Sequence, residues 1–103
     1  MIIYEVNLFV QRGIEHEYRV WLDAHVRQML RLPGFVTAAV FECVEPEGQA
    51  DEFGLCVHYR LRDESALAEY LHEHAPRLRA EGLARFGNSF RAERRVLRRL
   101  ADY

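Results

Sequence analysis

The sequence predicts an α+β fold of strand-helix-strand-strand-helix-strand order, and three observations carry that prediction. Four short runs are rich in β-branched and aromatic residues, two longer ones place apolar residues at steps of three and four, and turn-forming residues fall between them. At 103 residues the chain has the size of one domain, so residues 1–103 are read as a single unit. Half of the residues are hydrophobic, which supplies a packed core without disulfide or metal.

The first strand runs from Ile2 to Val10 and ends at Gln11-Arg12-Gly13. From Ile14 to about Arg31 the spacing turns helical: Ile14, Tyr18, Trp21, Leu22, His25, Val26 and Met29 share one stripe. Pro33-Gly34 stops that helix. Phe35 to Val44 is the second strand, followed by the acidic loop from Glu45 to Glu52 with its Pro46 and Gly48. In the third strand, Phe53 to Leu61, the residues Leu55, Val57, Tyr59 and Leu61 alternate with Gly54, Cys56, His58 and Arg60.

Asp63 is placed to cap the second helix, and Glu64 suits the positive end of its dipole. The apolar stripe there is Leu67, Tyr70, Leu71, His74, Ala75 and Leu78. Proline inside a helix costs about 3 kcal/mol. Pro76 therefore predicts a kink, or a restart with Pro76 near the first position of a new segment. Gly87 closes this region, and Ser89 to Leu100 is the last strand.

This order, with a hairpin in the middle, is the ferredoxin-like arrangement: a four-stranded antiparallel sheet with its helices on one face. Two helices cover one face only. Yet the strands are apolar on both parities, Ile2, Tyr4, Val6 and Leu8 against Ile3 and Phe9, and Phe35, Thr37, Ala39 and Phe41 against Val36, Ala38 and Val40. A half-solvated sheet alternates more cleanly. A homodimer that presses two sheet faces together is the simplest cover.

Charge and motifs narrow the function. A net charge of −2 gives no overall pull toward nucleic acid or an acidic membrane. The arginines from Arg91 to Arg99 lack interleaved aromatics and fit a charged edge strand, so no nucleic-acid partner is expected. No apolar run reaches the roughly 20 residues of a membrane helix. No leader-like segment opens the sequence, and Cys43 and Cys56 have no metal or redox spacing. A cytoplasmic protein of bacterial type, working without cofactor or metal, is the expectation. No Walker loop, dinucleotide fingerprint or HExxH is present.

Two groups of residues could carry chemistry. Glu5 and Asn7 on the first strand and Cys56, His58 and Arg60 on the third belong to strands that neighbour each other in this fold. A carboxylate, an amide, an imidazole and a guanidinium can bind a polar ligand or steer a proton. They can equally form a self-satisfied network, Glu5 paired with Arg60 for example. The second group is Trp21 and His25 on the first helix with Tyr70, His72 and His74 on the second. His25 and His74 lie on apolar stripes, and a histidine there is either a hydrogen-bonded core residue or a ligand group. A pocket between helices and sheet is expected to contain His74 and Trp21, reached by Asn7 or Glu5 if the parity permits.

The stretch Met1-Ile2-Ile3-Tyr4-Glu5-Val6-Asn7, the run His74-Ala75-Pro76-Arg77-Leu78-Arg79, the triplets Glu81-Gly82-Leu83 and Phe86-Gly87-Asn88, and Trp21 together resemble an uncharacterised bacterial family, a domain of unknown function. The resemblance runs from end to end. It implies a dimeric α+β barrel and brings no established activity. More distantly, the chain is similar to small cofactor-free monooxygenases that make quinones and to haem-degrading monooxygenases. The latter carry an asparagine on the first strand and a histidine on the second helix, for which Asn7 and His74 or His72 are nearest. Their later tryptophan has no counterpart, since Trp21 is this chain's only one.

Two functions follow as expectations. One is a dimer that binds a small hydrophobic or aromatic molecule, with Asn7, Trp21, His74, Glu5, His58 and Arg60 as candidate ligand-binding residues. The other is a cofactor-independent monooxygenase or isomerase acting on an aromatic or polyketide-like molecule.

Overall fold

A computed structural model describes all of residues 1–103. The elements are β1 (Ile2–Gln11), α1 (Glu15–Met29), β2 (Phe35–Cys43), β3 (Glu52–Leu61), α2 (Glu64–Glu73), α3 (Ala75–Phe86) and β4 (Phe90–Arg98). Short 3-10 turns at Arg12–Ile14 and Gly87–Ser89 lead into α1 and β4. The four strands form one antiparallel sheet in the order β2-β3-β1-β4, so β1 and β3 are the central neighbours. This is the ferredoxin-like fold.

The helices cover one face. Ile2, Tyr4, Val6, Leu8 and Val10 of β1 alternate inward, as do Phe53, Leu55, Val57, Tyr59 and Leu61 of β3. They meet Tyr18, Leu22 and Met29 from α1, Leu67 and Tyr70 from α2, and Leu78 and Phe86 from α3. Each such side chain contributes about 1.5–3 kcal/mol when fully buried.

The break expected near Pro76 falls at His74. That residue leaves helical geometry (φ −125°, ψ −35°), α2 ends before it, and α3 restarts with the proline in its first turn. There the missing N–H is no loss. Asp63 caps α2 by accepting a hydrogen bond from the Ala66 N–H at 2.8 Å. Gly87 ends α3 at φ +56°, where nothing crowds a would-be Cβ; the backbone angle alone calls for glycine.

The parity of β2 corrects the sequence reading. Phe35, Thr37, Ala39 and Phe41 do not share a face, because an irregularity between Phe35 and Thr37 shifts the register against β3. Phe35 is buried beneath the helices, whereas Thr37, Ala39 and Phe41 lie on the open face opposite Arg60, His58 and Cys56.

Candidate functional site

The two faces of the sheet hold two different sets of polar groups. On the open face the register places Glu5 opposite His58 on β3 and Arg95 on β4, with Asn7 and Cys56 one pair further along. Strand alternation thus brings Glu5, Asn7, Cys56, His58 and Arg60 to one face, as expected. Glu5 is only 4% exposed, and its carboxylate is saturated. Arg95 donates from Nε and Nη2, Asn7 donates to Oε2 at 2.9 Å, and the His58 Nε2–H donates to Oε1 at 3.0 Å. The Arg95 hydrogen bonds above all, with those of Asn7 and His58, hold the Glu5 carboxyl down at about 2 against the opposing effect of burial.

The expected Glu5–Arg60 pair does not form. Arg60 lies opposite Ile3, a register step away, while Arg95 faces Glu5 directly from the other side of β1. Arg60 Nε is left buried without a partner. Its side chain borders a shallow depression with Thr37, Phe41 and His58.

Glu5, Cys56 and His58 bring three ligand-type atoms within 4.8 Å of one another. The set fits a metal poorly. Arg95 already neutralises the carboxylate, and burial, then the Glu5 charge, pushes the Cys56 thiol up to about 11. On the open face the Glu5 carboxylate is satisfied by groups of the chain itself, while Arg60 Nε beside it is not.

The helix-side face holds a cavity of about 50 Å³ that opens to solvent. Its floor is Tyr4, Val6 and Leu8 from β1 with Val57 and Tyr59 from β3. The roof comes from α1, where Trp21 and His25, four residues apart, stack their rings at 4.7 Å and 13°. Gly82 of α3 makes room for that indole. A Cβ there would come within 3.2 Å of Trp21, so the helix carries a residue that costs it about 0.5–1 kcal/mol relative to alanine.

Polar groups are few and converge on this space. The Nδ1 of His25 is buried with no hydrogen-bond partner. Burial lowers the pKa of this imidazole, with the Glu81 charge opposing and that of Arg94 assisting, so the ring is neutral near pH 7. Arg79 donates to the Tyr4 hydroxyl at 3.0 Å, and Arg94 enters from β4. Desolvation pushes up the phenols of Tyr18, Tyr59 and Tyr70, the last to about 12, so all three stay protonated.

Of the expected pocket residues, Trp21 lines the cavity and His74 does not. His74 sits at the α2–α3 junction, where its Nδ1 accepts from Arg77 at 3.2 Å, because the helix break turns it off the apolar stripe. His25 takes the place assigned to it. Asn7 and Glu5 do not reach the cavity either; strand alternation points them to the opposite face together with His58 and Arg60. His72 is exposed beside Glu73. The sequence reading passed over Arg94, although the inward parity Phe90, Ala92, Arg94 and Val96 sets an arginine in an apolar series.

The sequence model of the family described as Domain of unknown function (DUF4286) matches residues 1–100. No curated protein matches the chain significantly. Among solved structures, one from Deinococcus radiodurans that carries the name of an antibiotic biosynthesis monooxygenase aligns at a TM-score of 0.74 and 12% identity, over 100% of this chain and 96% of that one. SnoaB, a cofactor-independent oxygenase from Streptomyces nogalater, aligns at 0.69 and 16%, over 98% and 95%. A dimeric ferredoxin-like protein of unknown function from Jannaschia sp. CCS1 aligns at 0.53 and 14%, over 91% and 97%. At these identities the likeness is one of fold.

Proposed function

Because this chain belongs to the DUF4286 family, and membership brings no activity with it, we propose from the site itself that it is a small-molecule-binding protein, a one-domain homodimer that takes an aromatic ligand into the helix-side cavity. The observation that carries this reading is the unpartnered Nδ1 of His25 in the wall of a largely aromatic space. A buried nitrogen without a partner costs about 1–3 kcal/mol, and a ligand that hydrogen-bonds to it recovers that cost. Pockets of this make-up, apolar with a few convergent polar groups, are the usual form of a small-molecule site.

The homodimer forms through the open sheet face. Phe41 is 49% exposed there, beside Ile3, Ala39 and the His58 ring. A second sheet laid on this face covers that apolar surface and offers an acceptor to Arg60 Nε. The dimeric Jannaschia protein shows that a relative in fold assembles as a pair. The free thiols of Cys43 and Cys56 fit a cytoplasmic, reducing setting. No helix is long and apolar enough to cross a membrane.

The test is thermal unfolding of the wild type and of His25→Phe with 1,4-naphthoquinone, anthrone and 2-naphthoate. At a hundredfold excess over Kd a ligand adds about 2.7 kcal/mol, or roughly 10 °C or more for a chain of this size. The reading expects such a rise in the wild type with at least one probe and a much smaller one in His25→Phe. No rise with any probe overturns it.

A second reading rests on the same histidine. A neutral imidazole with a free Nδ1 in a dry site is a competent general base, and SnoaB on this fold is an oxygenase without cofactor. On an anthrone-like ligand, His25 would remove a proton from the activated methylene and the carbanion would reduce dioxygen. The resulting hydroperoxide loses water, so one oxygen atom remains in the new carbonyl, the other leaves as water, and the proton returns from the imidazolium. Oxygen uptake equimolar with quinone formed, abolished in His25→Phe, distinguishes this reading from binding alone.

A further inference from the structure

The arginines at the end of the chain do not behave alike. Arg91 pairs with Glu52 and Glu93, Arg95 with Glu5, Arg98 with Glu64 and Arg99 with Asp102. Arg94 alone in this run has no acidic partner and makes no side-chain hydrogen bond, and it is the one that lines the helix-side cavity. Arg98 shares the inward parity of Arg94, opposite Ile2, but it lies at the far end of β4, where it reaches Glu64. Arg94 lies opposite Val6 on the inward register, where its side chain faces the space under the helices, whereas Arg91, Arg95 and Arg99 belong to the open-face parity.

No carboxylate lines that cavity, but a second guanidinium does, that of Arg79. Arg79 is engaged only by the neutral hydroxyl of Tyr4. The field of Arg94 reaches well into the site. At Tyr18, Tyr59 and Tyr70, burial is the main influence and the Arg94 charge acts against it. Two solvent-exposed cations at the rim of an aromatic space, with no carboxylate in its lining and Glu81 near His25 as the anion whose charge is felt there, form a charge pattern that an anionic ligand completes. Arginine suits that task because its planar fork binds a carboxylate through two parallel hydrogen bonds.

We propose that the ligand of this cavity is an aromatic anion, with its ring against Trp21 and His25 and its carboxylate or phenolate on Arg94, seconded by Arg79. The inference rests on the cavity reading given above and adds the charge of the ligand and the residue that selects it. A neutral ring would fill the same space but leave both guanidinium groups to water.

The experiment uses two probes of nearly equal size, 2-naphthoate and 2-naphthamide, titrated calorimetrically into the wild type, Arg94→Gln and Arg94→Lys. A charge-assisted hydrogen bond is expected to separate the probes by about tenfold or more in Kd. Wild type should prefer the acid by that margin. Arg94→Gln should bring the two affinities together, mostly by weakening the acid, and Arg94→Lys should retain part of the preference. Equal binding of acid and amide by wild type, or a preference that survives in Arg94→Gln, overturns the proposal while leaving the cavity a ligand site. If neither probe binds the wild type, this inference falls, and the cavity reading stands or falls separately on 1,4-naphthoquinone and anthrone.

Discussion

The two faces of the sheet are built from the same two central strands, yet they treat polar groups in opposite ways. On the open face, Glu5 is buried and fully satisfied by Arg95, Asn7 and His58 from within the chain. On the helix side, the buried Nδ1 of His25 has no partner, and Arg94, exposed at the rim of the cavity, has no acidic one. The richer cluster of reactive residue types is thus the one in which the carboxylate is satisfied from within, with Arg60 Nε left over. The sparser set, held apart from its own counter-charges, is the one left available to a ligand. Unmet hydrogen-bonding and charge, more than the density of polar side chains, mark the candidate site.

The contrast can be broken most strongly from the open side. Phe41→Asp puts a carboxylate into the proposed dimer face, and the dimer should weaken by at least about a hundredfold, in line with the cost of burying an unpaired charge. Light scattering across a concentration series checks this; an unchanged dimer mass would place the interface elsewhere.

Glu5→Gln should be the next largest change, a loss of about 1–3 kcal/mol in unfolding free energy, because the charge-assisted bonds from Arg95 disappear. The pH dependence has a definite sign. The folded carboxyl titrates near 2, below its usual 4.5. Its contribution is therefore complete above about pH 4.5 and is lost as pH falls toward 2. Chemical unfolding followed across that window should show a steeper acid-side loss for wild type than for Glu5→Gln. Parallel curves would mean the network contributes no net stability.

On the helix side, the same kind of deletion should do the reverse. His25→Phe removes an unpartnered nitrogen and keeps the stack on Trp21, so the unliganded protein should gain up to about 1 kcal/mol. Burial lowers the imidazole pKa, so the wild type should lose stability as pH drops below the unfolded value of about 6.5. The variant should lack that slope. A marked destabilisation of His25→Phe at pH 8 would show that the ring is a structural group. The smallest effect belongs to Pro76→Ala, expected within about 1 kcal/mol of wild type. Pro76 lies in the first turn of α3, where its missing N–H is no loss and alanine is equally well placed.

Most of the fold was legible because it rests on periodicity. The two-residue alternation of β1 and β3 correctly brought Glu5, Asn7, Cys56, His58 and Arg60 to one face, and the proline signalled the helix restart. What failed was long-range or backbone-specific. The irregularity after Phe35 moved that residue to the other face, which no side-chain pattern announces. The choice of Arg95 over Arg60 as the partner of Glu5 depends on the register of a strand some ninety residues away. His74 was misplaced because a stripe was extended through a break that the sequence itself indicated, and His25, four residues after Trp21 on an unbroken helix, was passed over in favour of it.

Chemical-shift mapping with 2-naphthoate tests most directly which face of the sheet receives the ligand. Addition of the probe to isotope-labelled protein should move the indole signal of Trp21, the methyl of Met29 and the amide of Gly82 in a saturable way, while signals of Phe41, His58 and Arg60 stay in place. Saturable shifts concentrated at Phe41, His58 and Arg60, with Trp21 and Gly82 unmoved, would contradict it.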